Sequence, residues 1–581
     1  MRIKPIWIAS AAVVLALPAL AQQAAPQPQP APATAPTRPQ TSPANTTTVS
    51  TGESGADGSA VEEVSNLNLG PPAPPVEYPG WARRDPWTVG AISPSAAGLS
   101  DDSWGTASGA FLSTLMRRMH TPIASRWAHI ALRNALLAKL RAPAGVHPVD
   151  WVAERAWLLL RLGEADAARM LVAGVDADRF TPKMVQVAVQ SALANADPPA
   201  LCPLEDGIKK HDARIQRLVQ AMCASLAGQP EAAAAMIDQA RRYGRIGGVD
   251  LALAEKVVGA GASGRTATIE WDPVDTLTAW RFGLATGTAA VPPDRLLNAS
   301  PTQLRAFQAR APLLSAQQRL PSAMIAAGLG VFSSQTMVDL YSAIYDSTDP
   351  SDLADTDAWQ LRQAFVGKDA ETRVAAIRKL LATGKEGLEK EAARAVVARA
   401  ATLVAPDGKL TKDAPELIAA MLAGGYDQAA ARWIPVVNGM DSEDADRCWA
   451  MLALGAPNVA DVGTGRITSF IRRDISKDRV RSALLVAGLA GLGRISTETA
   501  NSLNRRYGLS LGHVTSWTKM IDAAAARGQG GTVLVLTGTG FQTPLFGWVP
   551  PAHLYHAVSA LNRTGQDFTA RMIAAEALSR T

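Results

Sequence analysis

Apolar residues recur along most of this chain with the period of an α-helix. Val152, Ala156, Leu159 and Leu160 stand at i, i+4, i+7 and i+8, which is one face of a helix. Ile215, Leu218, Val219, Met222 and Leu226 repeat that spacing, as do Leu388, Ala392, Val396 and Leu403 and, later, Leu554, Val558 and Leu561. Val374, Ile377 and Leu381 fit too, with charged residues between them turned to solvent. Turn-forming clusters cut the pattern into segments: Asn195-Ala196-Asp197-Pro198, Pro292-Pro293, Asp349-Pro350, Pro406-Asp407-Gly408 and Pro550-Pro551. From Ser103 onward the pattern predicts helix after helix.

One stretch reads differently. Residues 531–540, GTVLVLTGTG, look like a short strand between glycines. It lies between Val514–Ala526 and His553–Leu561, both helical in pattern, so a strand there would have no partner. It is assigned to helix. Alanine and leucine dominate the 47% of apolar residues and aromatics make up only 5%, a mixture that favours packed helices over sheets.

The helices are paired by a recurring spacing. Gly163, Gly228, Gly425, Gly455 and Gly565 each have alanine five residues later: Ala168, Ala233, Ala430, Ala460 and Ala570. Gly491, followed by Ser496, departs from it. A turn glycine followed by a small residue lets a second helix return closely against the first. These pairs are packing positions, and the unit they mark is roughly 30–36 residues long. The phrases LGEADAARML, AGQPEAAAAMI, AGGYDQAAARW and TGQDFTARMI resemble the turn and second helix of tetratricopeptide repeats. The usual tryptophan, tyrosine and terminal proline positions of that family are mostly unmatched. The resemblance implies an all-α, tetratricopeptide-like α-solenoid of helical hairpins, with long binding surfaces and no chemistry of its own.

The beginning of the chain has another character. Arg2 and Lys4 precede an apolar run, Ile6–Leu20, and Ala19-Leu20-Ala21 has the small-x-small cleavage pattern of an export signal. A membrane-spanning helix needs about 20 apolar residues, so residues 1–21 are read as a signal peptide cleaved after Ala21, with no stable transmembrane segment afterwards. That places the protein in a bacterial periplasm. Residues 22–80, rich in alanine, proline and threonine, have too few large apolar side chains to fold and are read as a disordered linker. Residues 81–102 form a leading segment in which Trp81, Trp87 and Ile92 are expected to cap the first helices. Residues 103–581 are the helical body, with 265–350 fitting the repeat least and reading as a spacer of irregular hairpins.

Export changes how the three cysteines are read. Cys202 and Cys223 flank a helical run and are candidates for a disulfide, leaving Cys448 as a buried thiol; the alternative is three inert core cysteines. The formal net charge of +5 is mild for 581 residues, the linker being net acidic and the body weakly basic. No Lys/Arg-rich run stands out, so no nucleic-acid partner is inferred. Weak attraction to anionic envelope polymers is permitted by this balance.

Chemistry-bearing motifs are scarce. Gly259-Ala-Gly261-Ala-Ser-Gly264 matches GxGxxG, but a dinucleotide site needs a strand before it, and Leu251–Val258 reads as helix. Gly384-Lys385 is followed by Glu386, so there is no phosphate loop, and no GxSxG occurs. His553 and His556 stand at i, i+3 without the HExxH spacing or its glutamate; the other histidines are scattered. No catalytic, cofactor-binding or metal-binding residue is therefore assigned. The reading is a non-catalytic periplasmic scaffold or adaptor that binds a protein or peptide partner in envelope assembly. The alternative is an envelope-glycan hydrolase of lytic-transglycosylase type using Glu or Asp. The glutamate and Gly-Leu-Met-Gln-type turn of those enzymes is not seen.

Overall fold

Helix formation follows the apolar period almost throughout. The computed structural model describes residues 79–581, apart from 244–245, 262–266, 441–442 and 459–461. The export signal, the linker up to Tyr78, Ala460 and the last three residues of the GxGxxG match lie outside the described residues. Among the described residues there are 28 α-helices and no strand, with one isolated bridge between Ile92 and Ala138. The fold is an all-α array of packed helical hairpins. Residues 531–540 belong to helix Gly530–Gly540, which is buried along most of its length. No helix among the described residues is long and apolar enough to cross a membrane.

The hairpins share one turn. After helix Pro148–Arg161 the chain passes through Gly163 at φ +86°, and the Glu164 amide donates back to the Leu159 carbonyl at 2.9 Å. The same closure, an amide reaching five residues back, follows Gly228 (Gln229 to Ala224), Gly425 (Tyr426 to Met421) and Gly565 (Gln566 to Leu561). It satisfies carbonyls that a helix end leaves bare. Ala168, Ala233, Ala430 and Ala570 are fully buried on the returning helices.

Two pairings from the sequence are corrected. Gly455 is the last residue of helix Glu443–Gly455 and not a left-handed turn; a Cβ there would meet Leu422 at 2.8 Å, so it serves close packing. Gly491 is likewise helical, and Gly493 makes the turn, with the Arg494 amide bonded to the Leu489 carbonyl. Further turns of this kind escaped the glycine spacing, among them those at Gly330 and Gly508. Another lies at Gly528, and two more place alanines, Ala196 and Ala289, at φ +52° and +59°.

The leading segment is held by its backbone and not by its tryptophans. Trp81 is 89% exposed and Trp87 39%. Ala91 and Lys139 amides bond to Leu137 and Ile92 carbonyls, and the buried Arg155 guanidinium reaches the Val89 carbonyl at 2.7 Å. The first helices are covered instead by the last ones. Ser103 accepts from the Gly531 amide, Trp104 packs on Gly531, and Gly538 lets helix Gly530–Gly540 close onto Leu132. Leu132 belongs to helix Arg126–Leu137, which is the hub of the body. The array thus closes on itself, and a single main core contains residues from both its ends.

A second, smaller core spans Ala188 to Ala285. Cys202 and Cys223 are joined by a disulfide inside it, with Cα atoms 5.7 Å apart, tying the turn Pro198–Leu204 to the end of helix Ala213–Leu226. Cys448 is free and buried, and burial pushes its thiol up to about 12. Within 265–350 the helices Ala279–Thr286, Asp294–Ala299 and Thr302–Ala309 are short, but Ala316–Leu329 and Ser334–Ser347 form a regular hairpin turned at Gly330.

Two stability outcomes are expected. Ala289 is exposed and left-handed, so Ala289→Gly relieves backbone strain and stabilises the body by about 0.5–1 kcal/mol, read as a raised melting temperature. Replacing both Cys202 and Cys223 by serine, across a sequence separation of 21, destabilises the smaller core by about 3 kcal/mol. Hydrogen exchange should quicken between Ala188 and Ala285 and stay unchanged in the hub helix.

Candidate functional site

The richest side-chain chemistry left open to solvent gathers around helix Thr464–Arg473, TGRITSFIRR. Ile467, Phe470 and Ile471 bury one face of it. Its other face carries Arg466 and Arg473, seven residues apart and therefore on the same side. Both reach one carboxylate on the neighbouring helix Glu443–Gly455: Arg473 grips Asp446 with two bonds of 2.6 and 2.8 Å, and Arg466 lies 3.0 Å from it. Arg466 also sits over the Trp449 ring, 5.1 Å from its centroid, and Trp449 packs against Phe470.

Asp446, Arg466, Phe470 and Arg473 line a cleft of about 590 Å³, together with Met440, Glu443, Arg447, Arg472, Asp474, Ile475 and Arg481. The guanidinium of Arg472 is exposed and makes no hydrogen bond or ion pair among the described residues. Asp474 accepts from the amides of Ser476 and Ser482, each at 2.9 Å, and from the Ser482 hydroxyl. Burial works against its charge, but the serine hydrogen bonds prevail and hold its carboxyl below the usual range.

A second cleft of about 350 Å³ adjoins the first. It is lined by Arg378, Lys385, Lys390, Lys412, Asp413 and Glu416, among others. Glu416 is the shared element. It lies on helix Ala414–Ala423 and receives Arg394 through two bonds of 3.0 and 3.1 Å, with Lys390 at 3.5 Å and Arg447 of the first cleft at 3.4 Å. Burial alone would raise this carboxyl; the surrounding cations, Arg394 foremost, bring it down to about 2. Across both clefts the cations outnumber the carboxylates.

The residues singled out from sequence do not come together into a site. The glycine–alanine pairs hold hairpins, and the cysteine pair staples the smaller core. Gly259 and Gly261 end helix Gly248–Gly261 with no strand before them among the described residues, and a Cβ on Gly261 would meet Ser225 at 2.7 Å, so Gly261 serves a close helix contact. His553 stacks on Trp517 at 4.3 Å and lies 3.2 Å from the Gly540 carbonyl, and burial lowers its pKa. His556 lies 2.9 Å from Asp522. Among the described residues no three His, Cys, Asp or Glu side chains are placed to hold a metal ion.

The sequence reading passed over the cleft because it weighed charge over the whole chain. The concentration is local. Residues 466–481, RITSFIRRDISKDRVR, hold Arg466, Arg472, Arg473, Lys477, Arg479 and Arg481 against Asp474 and Asp478. A windowed charge count, read with the helical spacing of Arg466, Phe470 and Arg473, marks it. Comparison with known proteins finds no family model, no curated protein and no solved structure that matches this chain.

Glu416 carries a pH dependence. Its carboxyl falls from the usual 4.5 to about 2 on folding. The resulting stabilisation is fully present above pH 4.5 and is lost as pH drops toward 2. Glu416→Gln should therefore cost about 2 kcal/mol at neutral pH, after allowing for its partial exposure, and progressively less in acid. Thermal melts of both proteins across that range check it; a penalty independent of pH would contradict it.

Proposed function

We propose that this protein is a non-catalytic scaffold or adaptor of the bacterial cell envelope, exported to the periplasm, that binds a protein or peptide partner. The observation that carries the reading is the pairing inside the clefts. A glycan hydrolase needs a carboxylic acid kept protonated near neutral pH beside an ionised partner. Glu416 and Asp474 are shifted the opposite way, by arginine and lysine in one case and by serine hydrogen bonds in the other. Asp446 is clasped by two guanidinium groups. Carboxylates so held organise arginines, and arginine-lined clefts with an apolar floor recognise partners.

Further support comes from the helical-hairpin architecture, which in other proteins presents surfaces for binding. The Cys202–Cys223 pair suits an oxidising compartment. The apolar run and cleavage pattern at residues 1–21 suit export. Fold alone does not assign function, so the reading rests on the clefts.

The test is crosslinking in intact cells followed by purification of the full chain and identification of what comes with it. The expected result is a reproducible envelope partner, and no release of fragments from purified cell wall by the protein. Release of wall fragments with no stable partner would replace this reading with the hydrolase.

A further inference from the structure

The cleft beneath helix Thr464–Arg473 has the make-up of a peptide-recognition site. Among the described residues Arg466 and Arg473 share the single carboxylate of Asp446, leaving guanidinium donors over. Arg472 adds an exposed guanidinium with no partner among the described residues. The planar fork of arginine suits a carboxylate bound through two parallel bonds. Phe470 supplies an apolar wall between these charges.

At the mouth of the cleft stands Ile475, 86% exposed. It is not on a loose loop. Asp474 on one side bonds to the amides of Ser476 and Ser482, and Asp478 and Arg479 take φ +53° and +51°. Two successive side-chain-bearing residues in the left-handed region are costly. The turn holds an isoleucine out in water at a fixed position, where a partner's apolar side chain could cover it.

We propose that this cleft docks an acidic peptide segment of the partner, in which carboxylates flank an apolar residue. The carboxylates meet Arg472 and the free donors of Arg466 and Arg473; the apolar side chain lies between Phe470 and Ile475. The proposal rests on the scaffold reading and names the chemistry of its partner. A peptide fits better than a densely charged polymer or an anionic membrane. Asp446 and Asp474 stand among the arginines and repel closely spaced negative charge, whereas a peptide can set its carboxylates apart from them. The volume of about 590 Å³ is that of an ordinary ligand cleft.

The test uses the full chain and a fluorescein-labelled peptide with glutamates on both sides of a leucine, followed by fluorescence anisotropy. Controls are its glutamine counterpart and phosphatidylglycerol vesicles. The acidic peptide should bind, more weakly as salt rises, and the glutamine peptide should not. Arg472→Glu and Ile475→Asp each should weaken binding about tenfold or more, with melting temperatures unchanged because both positions are exposed. Equal binding of the glutamine peptide, an unaltered affinity in Arg472→Glu, or binding of the vesicles in place of the peptide would each overturn the proposal. The crosslinking experiment separates the two levels. A partner captured equally well by wild type and Arg472→Glu overturns the cleft and leaves the scaffold standing. Failure of the wild type to capture any partner overturns the scaffold.

Discussion

The closure of this helical body depends on what happens at the two ends of helix Arg126–Leu137. At its start the Glu576 carboxylate, from the final helix Asp567–Ser579, accepts from the Arg126 amide at 2.8 Å and the Trp127 amide at 3.3 Å. A negative charge at a helix N-terminus meets both its bare amides and its dipole. The Arg126 side chain then runs outward and gives hydrogen bonds to three carbonyls: Ala327, Phe332 and Ala423. Two of these lie at the ends of helices Ala316–Leu329 and Ala414–Ala423. One residue thereby joins its own helix to three others, through contacts 201, 297 and 450 positions away in sequence. Burial lowers its pKa to about 10, so it remains charged under ordinary conditions.

The same device recurs through the body. Arg155 caps the far end of the hub helix through Leu136 and Ala138. Arg161 serves Met116 and Arg117, Arg494 serves Ala453 and Ala456, and Arg571 serves Gly455. In an alanine-rich array the apolar contacts are numerous but alike, and many sliding arrangements would bury similar area. Helix ends are not alike in position. A guanidinium that must find particular carbonyls fixes which helix stands where, and leaving those carbonyls unmet inside the core costs about 1–3 kcal/mol each. Stability comes from the apolar packing; the arginines choose among packings.

That division explains how much could be read from sequence. Local periodicity marked most of the helices, since each apolar face is written in neighbouring residues; Gly530–Gly540, strand-like in composition and buried all round, was legible as helix only because a strand between two helices would have no partner. The spacing of glycine and alanine found the turns at Gly163, Gly228, Gly425 and Gly565, and the cluster Asn195-Ala196-Asp197-Pro198 found another; the turn at Ala289, where no glycine supplies the positive φ, was not legible. Closure was not legible at all. Nothing near Arg126 announces that Glu576 will cap it, because that contact is set by the sum of every turn between them. The same holds for the cleft: Arg473 and Asp446 are ordinary helix-surface residues until the fold lays one helix beside the other.

Arginine therefore has two fates here, and burial separates them. Arg126, Arg155 and Arg571 are nearly inaccessible, and carbonyls or carboxylates of the fold take up most of their donors. Their chemistry is spent internally. Around helix Thr464–Arg473 internal acceptors are fewer among the described residues: two guanidiniums share Asp446, and the exposed Arg472 has none. An array needing arginine only to fix its helices would leave such positions to lysine, whose compact, strongly hydrated ammonium keeps a surface soluble without a planar fork. A local excess of guanidinium over acceptors, set beside a pinned and exposed isoleucine, is better explained by a negatively charged segment that completes it.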